Sequence, residues 1–227
     1  LAGAGAVLAT QMAIDDFIAE AKPAFKVEMV SADHQNKADI ASNKAREWFE
    51  REGVDTATEL VTTSTALAVM KIAKEMNRVA LMSGPASTPI TNEQCNDVTV
   101  HYTYDTYALA NGTAKAVTQQ GGDTWFFLTA DYAFGHALEK DATAVVKANG
   151  GQVMGAVRHP FPGSDFSSFL LKAQASGAQI IGLANAGGDT INAIKQAAEF
   201  GINETQALAG LLMFITDVHA LGLKTTQ

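Results

Sequence analysis

Apolar runs of strand length, without alternation between apolar and polar positions, recur along this chain, and each is followed by a stretch with helical spacing. Val79-Ala80-Leu81-Met82, Trp125-Phe126-Phe127-Leu128 and Ile180-Ile181-Gly182-Leu183-Ala184 are the clearest of these runs. A strand with one face in water alternates apolar and polar residues, whereas a strand covered on both faces need not. Repeated at intervals of about 25 residues, strand plus helix implies parallel strands with helices on both faces, an α/β fold.

The helical pattern opens with Val7, Leu8, Met12, Ile14 and Ile18 and stops before Pro23. Phe25 to Val30 reads as a strand, and Asp39 to Glu52 as a helix with Ala41, Ala45 and Trp48 on one face. A short strand from Thr58 to Thr62 and a helix from Thr65 to Met76 precede the strand at Val79. Val98 to Tyr102 is the next strand, then a helix from Thr106 to Gln120, the apolar run at Trp125, and a helix from Phe134 to Ala148. Val153 to Val157 is a strand, and Ser164 or Asp165 caps a helix that ends at Gly177. Asp189 caps a helix that stops at Gly201, and Leu208 to Phe214 is the last strand. Leu1-Ala2-Gly3-Ala4-Gly5 runs directly into the first helical pattern with no strand before it, so the expectation is a chain cut inside a fold.

Charge and motifs exclude several classes. Among 227 residues, 16 Lys+Arg stand against 24 Asp+Glu for a formal charge of −8, which disfavours a nucleic-acid partner because phosphate binding needs a basic footprint. Cys95 is the single cysteine, so neither an internal disulfide nor a cysteine-rich metal site is available. No apolar run approaches the roughly 20 residues that span a bilayer. The sequence lacks a Gly-x-Ser-x-Gly elbow, a Walker A motif and a His-Glu-x-x-His pair. Gly3-Ala4-Gly5-Ala6-Val7-Leu8 starts like a dinucleotide fingerprint but carries Leu8 at the third glycine. His34, His101, His136, His159 and His219 are scattered singly, and Asp15, Asp16 and Asp131 have no acid–base partner beside them in sequence. No catalytic residue, metal site or cofactor is assigned.

In parallel α/β sheets, ligands bind outside the carboxyl ends of strands, where loops enter helices. Three such loops carry hydroxyl, amide or glycine chemistry: Thr63-Ser64-Thr65, Gly84-Pro85-Ala86-Ser87-Thr88 and Asn185-Ala186-Gly187-Gly188-Asp189-Thr190. Free N–H groups at helix starts, with hydroxyls nearby, suit a carboxylate or phosphate, and the same residue types are also common caps. Tyr132 and Phe134, after another strand, suit either cover over an apolar or aromatic ligand or packing between loop and core.

The ordered set of segments Thr63–Val69, Leu81–Ser87, His101–Tyr107, Trp125–Gly135, Asp165–Leu170 and Ala184–Asp189 resembles the type I periplasmic solute-binding proteins of ABC transporters, the branched-chain amino-acid receptor group. The likeness covers nearly the whole chain. It implies two Rossmann-like lobes with parallel sheets joined by a hinge, with residues 1–103 the first part of lobe one and 104–227 nearly all of lobe two. Because family members are longer at both ends, it also implies truncation at both ends. Ser64, Ala86 and Ser87 match positions that hold the ligand carboxylate, and Tyr132, Phe134, Asn185, Ala186 and Gly187 match positions that close over it. Tyr104 and Phe214 fall within matched ligand-facing stretches. The mechanism so implied is hinge closure on a small carboxylate, recognised by a membrane permease, in a periplasmic protein expected to be monomeric.

One departure narrows the expected ligand. Amino-acid receptors of this family carry a carboxylate after the strand matching Leu208–Phe214 to pair with the ligand ammonium. Here the stretch Leu211-Leu212-Met213-Phe214-Ile215-Thr216 is apolar up to Asp217. Burying an ammonium without a counter-charge costs on the order of several kcal/mol, so the expected ligand is an aromatic acid of the benzoate or phenylpropanoid kind. A branched-chain amino acid stays open if Asp217 reaches the ammonium. A ligand-sensing domain of a receptor or regulator is the reading from another class. An enzyme would need a nucleophile with a base, or an intact glycine fingerprint.

Overall fold

In the computed structural model of the chain, which describes residues 2–226, Thr56–Thr58 (β1), Val79–Met82 (β2) and Thr99–His101 (β3) form a parallel sheet in that order. Thr58 lies opposite Leu81, and Met82 opposite His101, so the carboxyl ends of neighbouring strands emerge side by side. Helices Ala2–Ala21 (α1), Ala38–Arg51 (α2) and Thr63–Glu75 (α3) belong to this part of the chain. α2 and α3 pack together, burying Ala41, Ala45 and Phe49 on one and Ala66, Val69, Met70 and Ala73 on the other.

Four of these elements depart from the sequence expectation. Phe25 to Val30 is not a strand: no strand among the described residues pairs with it, so its backbone has no ladder to join, and Phe25 and Val30 are exposed. On α2 the third inward residue is Phe49 rather than Trp48, because Ala41, Ala45 and Phe49 keep an interval of four. β1 ends at Thr58, where the expected strand begins, since Glu59 and Leu60 both take left-handed backbone with φ of 77° and 61°. The helix expected at Thr106 is split into Thr106–Leu109 (α4) and Lys115–Gln119 (α5) by a π-turn at Ala110–Ala114.

The remaining strands, Thr124–Ala130 (β4), Gln152–His159 (β5), Ile180–Ala184 (β6) and Ala207–Gly210 (β7), form a second parallel sheet in the order β5-β4-β6-β7. Ala133–Ala148 (α6), Ser167–Ala175 (α7) and Gly188–Glu199 (α8) are the crossovers. β4 shows why its sequence does not alternate. Trp125 and Phe127 face a cluster with Leu138 and Val146 of α6, whereas Phe126 and Leu128 face Leu170 of α7 and Ile194 of α8. Each such side chain taken out of water contributes roughly 1.5–3 kcal/mol. Gly182 of β6 is required by this packing, because a Cβ there would come 2.6 Å from the Phe127 ring.

Two further expectations change at the end of the chain. β7 stops at Gly210, and a helix the sequence reading did not include, Ile215–Leu221 (α9), follows. Asp189 lies inside the first turn of α8 rather than at its cap, a position taken by Gly187.

The chain divides into two compact units. The first takes the residues up to Pro85 and Glu93–Thr103; the second takes Ala86–Asn92 and everything from Tyr104 on. Residues 86–92 thus group with the second sheet, although the sequence reading places them in the first lobe. Their anchor is Asp141 of α6, whose Oδ2 accepts from Thr88 Oγ1 at 3.1 Å and from Thr106 Oγ1 at 2.6 Å.

Candidate functional site

In the second unit the winding direction reverses between β4 and β6, and doubly wound folds take ligands outside the carboxyl ends of strands at such a reversal. The segments that leave those two strand ends begin at Asp131 and Asn185. Both sequence-derived groups, Tyr132 with Phe134 and Asn185 with Ala186 and Gly187, are therefore brought to one edge of one sheet.

Tyr132 is the residue before α6 and keeps extended backbone. Its ring stacks on Phe161, with centroids 4.2 Å apart and planes at 17°, and tilts against Phe134 at 5.9 Å. Phe134 is buried in the core cluster, while Tyr132 and Phe161 are half-buried. Phe161 is an aromatic that sequence reasoning missed. The available signal was an aromatic flanked by two prolines just past a strand end on this edge.

Asn185 is fully buried, and its amide is committed on both sides. Thr190 Oγ1 donates to Asn185 Oδ1 at 2.7 Å, and Asn185 Nδ2 donates to His159 Nε2 at 3.2 Å. Accepting at Nε2 fixes the imidazole proton on Nδ1, which donates to Pro160 O at 2.9 Å. The side chain of Asn185 thus holds its own loop to the end of β5. Ala186 packs against the core, and Gly187 takes φ 58° with ψ −127°, a backbone that only glycine adopts readily.

Asp189 adds a carboxylate to the same cluster. Gly163 N–H donates to its Oδ1 at 3.0 Å, and Oδ2 lies 3.7 Å from His159 Nδ1. Burial raises the Asp189 carboxyl above its ordinary range, opposed by the Gly163 hydrogen bond and the His159 ring. The Tyr132 hydroxyl is pushed well above the usual phenol range, first by burial and then by the charge of Asp189.

Phe214 is exposed and precedes α9, and Asp217 is buried. Asp217 Oδ2 accepts from Phe214 N–H at 2.9 Å, so this carboxylate closes the start of its own helix. Asp217→Ala is expected to cost about 1.5–3 kcal/mol in urea denaturation, the scale of a hydrogen bond to a charged group. Unchanged stability would show that the cap is idle and the carboxylate available for other use. Tyr104 is exposed, Ala86 lies in the core cluster of the second unit, and Ser87 is buried at the start of the short turn Thr88–Ile90.

Ser64 is the one sequence-derived site residue in the first unit. It stands half-buried in the first turn of α3, between Thr63 and Thr65, which are buried. Thr65 Oγ1 lies 2.9 Å from Thr62 Oγ1 and donates to Thr62 O at 2.8 Å, fixing the entry to the helix. Beside it, Ser83 Oγ donates to Glu59 Oε2 at 2.7 Å, which ties the loop after β2 to the loop after β1. Among the described residues, no group of three or more His, Cys, Asp or Glu is placed to hold a metal ion. No helix among them is long and apolar enough to cross a membrane.

A family model described as periplasmic binding protein matches residues 1–227. The chain belongs to the periplasmic binding protein family. It is similar to a solved periplasmic binding protein from Burkholderia mallei, at 59% identity and a TM-score of 0.91, over 96% of this chain and 59% of that one. It is also similar to a branched-chain amino-acid ABC transporter periplasmic ligand-binding protein from Burkholderia xenovorans, at 38% identity and a TM-score of 0.78, over 99% of this chain and 60% of that one. A solute-binding protein of an ABC transporter from R. palustris, solved in complex with 4-hydroxybenzoate, matches at 25% identity and a TM-score of 0.79, over 87% of this chain and 55% of that one. This periplasmic binding protein chain spans about half the length of the curated relatives it matches.

Proposed function

We propose that this chain is part of an extracytoplasmic solute receptor for an ABC importer, and that its ligand is a small aromatic carboxylate held by closure of two lobes. Such a protein binds and hands over its solute without transforming it, and a membrane permease is its partner. The observation that carries the aromatic reading is the Tyr132–Phe161 stack at the winding reversal of the second sheet. Aromatic rings at this edge offer an aromatic ligand offset or edge-on contact worth about 0.5–1.5 kcal/mol beyond the area buried. Asp217 Oδ2 is engaged with Phe214 N–H, which turns one oxygen of the carboxylate after β7 toward its own helix start and fits the same reading. The 4-hydroxybenzoate complex of the R. palustris relative agrees.

A branched-chain amino acid is the second reading, favoured by the name of the Burkholderia xenovorans relative. Isothermal titration of the full-length protein with benzoate-type acids and with leucine separates the two. The expected result is an aromatic acid bound at least about tenfold more tightly than leucine, a difference of about 1.4 kcal/mol. Tighter binding of leucine would overturn the aromatic reading.

A further inference from the structure

Asp189 Oδ2 is a buried carboxylate oxygen with no hydrogen-bond partner among the described residues, His159 Nδ1 standing 3.7 Å away. The donors of its own cluster are engaged elsewhere. Gly163 N–H goes to Oδ1, His159 Nδ1 to Pro160 O, Thr190 Oγ1 to Asn185 and Asn185 Nδ2 to His159. Native proteins rarely leave a buried polar atom unpaired, and a charged one least of all, so such an atom points to a donor supplied from outside the chain.

The surroundings indicate what kind of donor. Gly163, bonded to the other oxygen of Asp189, lies two residues beyond Phe161, whose ring is stacked on Tyr132. Tyr132 in turn is close enough to Asp189 to feel its charge. The unpaired oxygen therefore belongs to the loop cluster that carries the aromatic pair, at the sheet edge where the fold takes ligands.

We propose that Asp189 Oδ2 accepts a hydrogen bond from a hydroxyl on the ligand's aromatic ring, so that this protein selects hydroxylated aromatic acids over unsubstituted ones. The inference rests on the aromatic-acid reading and narrows it. Tyr132 and Phe161 are both half-buried. An α-ammonium would also satisfy this oxygen, and the leucine arm of the test separates that outcome.

The test is isothermal titration of the full-length protein and its Asp189→Asn variant with benzoate, 4-hydroxybenzoate, 3,4-dihydroxybenzoate and leucine. Wild type is expected to bind at least one hydroxylated acid about tenfold or more tightly than benzoate, the effect of one hydrogen bond to a charged acceptor. Asp189→Asn should shrink that margin by at least about threefold, because its amide offers the hydroxyl only a neutral hydrogen bond, and should leave benzoate affinity within about threefold. Should the variant fail to fold, the ultraviolet spectrum of 4-hydroxybenzoate bound to wild type gives an independent reading. A ring hydroxyl against a carboxylate stays protonated at alkaline pH where the free phenol ionises. Equal binding of benzoate and both hydroxylated acids, as a water on Oδ2 would produce, overturns the proposal. So does an equal loss for every acid in the variant, or a bound phenol that ionises with the free one. Binding of leucine with no binding of any aromatic acid defeats the aromatic reading itself, a result distinct from all of these.

Discussion

Replacing Gly135 with alanine is expected to destabilise the second unit by about 3 kcal/mol or more, the upper part of the range for overpacking a core. Gly135 is buried in the first turn of α6, and a Cβ there would lie well inside van der Waals contact with the carbonyl oxygen of Ala130, the last residue of β4. The obstacle is backbone, so no side-chain rotation relieves it. Alanine also gains up to about 1 kcal/mol over glycine in a helix interior, and the clash outweighs that gain. Gly112 is the control: it is exposed, a Cβ there meets nothing within 4 Å, and Gly112→Ala should be neutral or slightly stabilising. Urea denaturation of the two variants would separate the effects. A Gly135→Ala protein as stable as wild type would show that α6 does not need to approach β4 so closely. The contact bears on the proposed site because it seats Tyr132 and Phe134 at the winding reversal. A displaced α6 carries the aromatic edge with it.

Much of this arrangement is legible in the sequence. Buried strands declare themselves where they are covered on both faces, as at Trp125–Leu128 and Ile180–Ala184, because every position must then be apolar. Helix ends at Gly177 and Gly201 follow from the left-handed backbone, φ 67° and 65°, that glycine supplies there. Phe25–Val30 carries a strand-like composition, but a strand exists only when its backbone pairs, and pairing is set by partners far along the chain. The early end of β1 was hidden because Glu59 and Leu60 are not residue types that announce a positive φ.

Sequence spacing marked loops that the structure places at strand ends, but it misread how individual side chains in them are used. Asp189 reads as an N-cap by residue type, yet the cap position needs no side chain when Gly187 turns the backbone, and the carboxylate is turned inward to Gly163 instead. Phe161 could not be paired with Tyr132 from spacing alone, since they lie on separate strand ends that become neighbours only through the order β5-β4-β6-β7. His159 reads as one of five scattered histidines, and its burial follows from its place at the last position of β5, beside Asn185. Charge-bearing residues in such clusters are set by tertiary neighbours, which periodicity does not encode.

Asn185→Leu is expected to lower stability by about 2–4 kcal/mol, because it strands two buried groups at once, each at about 1–3 kcal/mol and partly relieved by relaxation. His159 Nε2 loses its donor and Thr190 Oγ1 loses its acceptor, and leucine offers neither. Thr190→Val removes one link only and should cost less, about 1–2 kcal/mol. The pair of variants also decides what Asn185 does. A side chain that touched ligand directly would, on removal, weaken binding and leave the fold at wild-type stability. A side chain that holds the Ala186–Gly187 loop to the end of β5 should lose both together, and Thr190→Val should then weaken binding without any ligand contact of its own. The geometry favours the second outcome, since Asn185 is fully buried with donor and acceptor already used. Urea midpoints beside titration of the same variants with an aromatic acid check it. Wild-type stability in Asn185→Leu with affinity lost would return Asn185 to the ligand's own contacts.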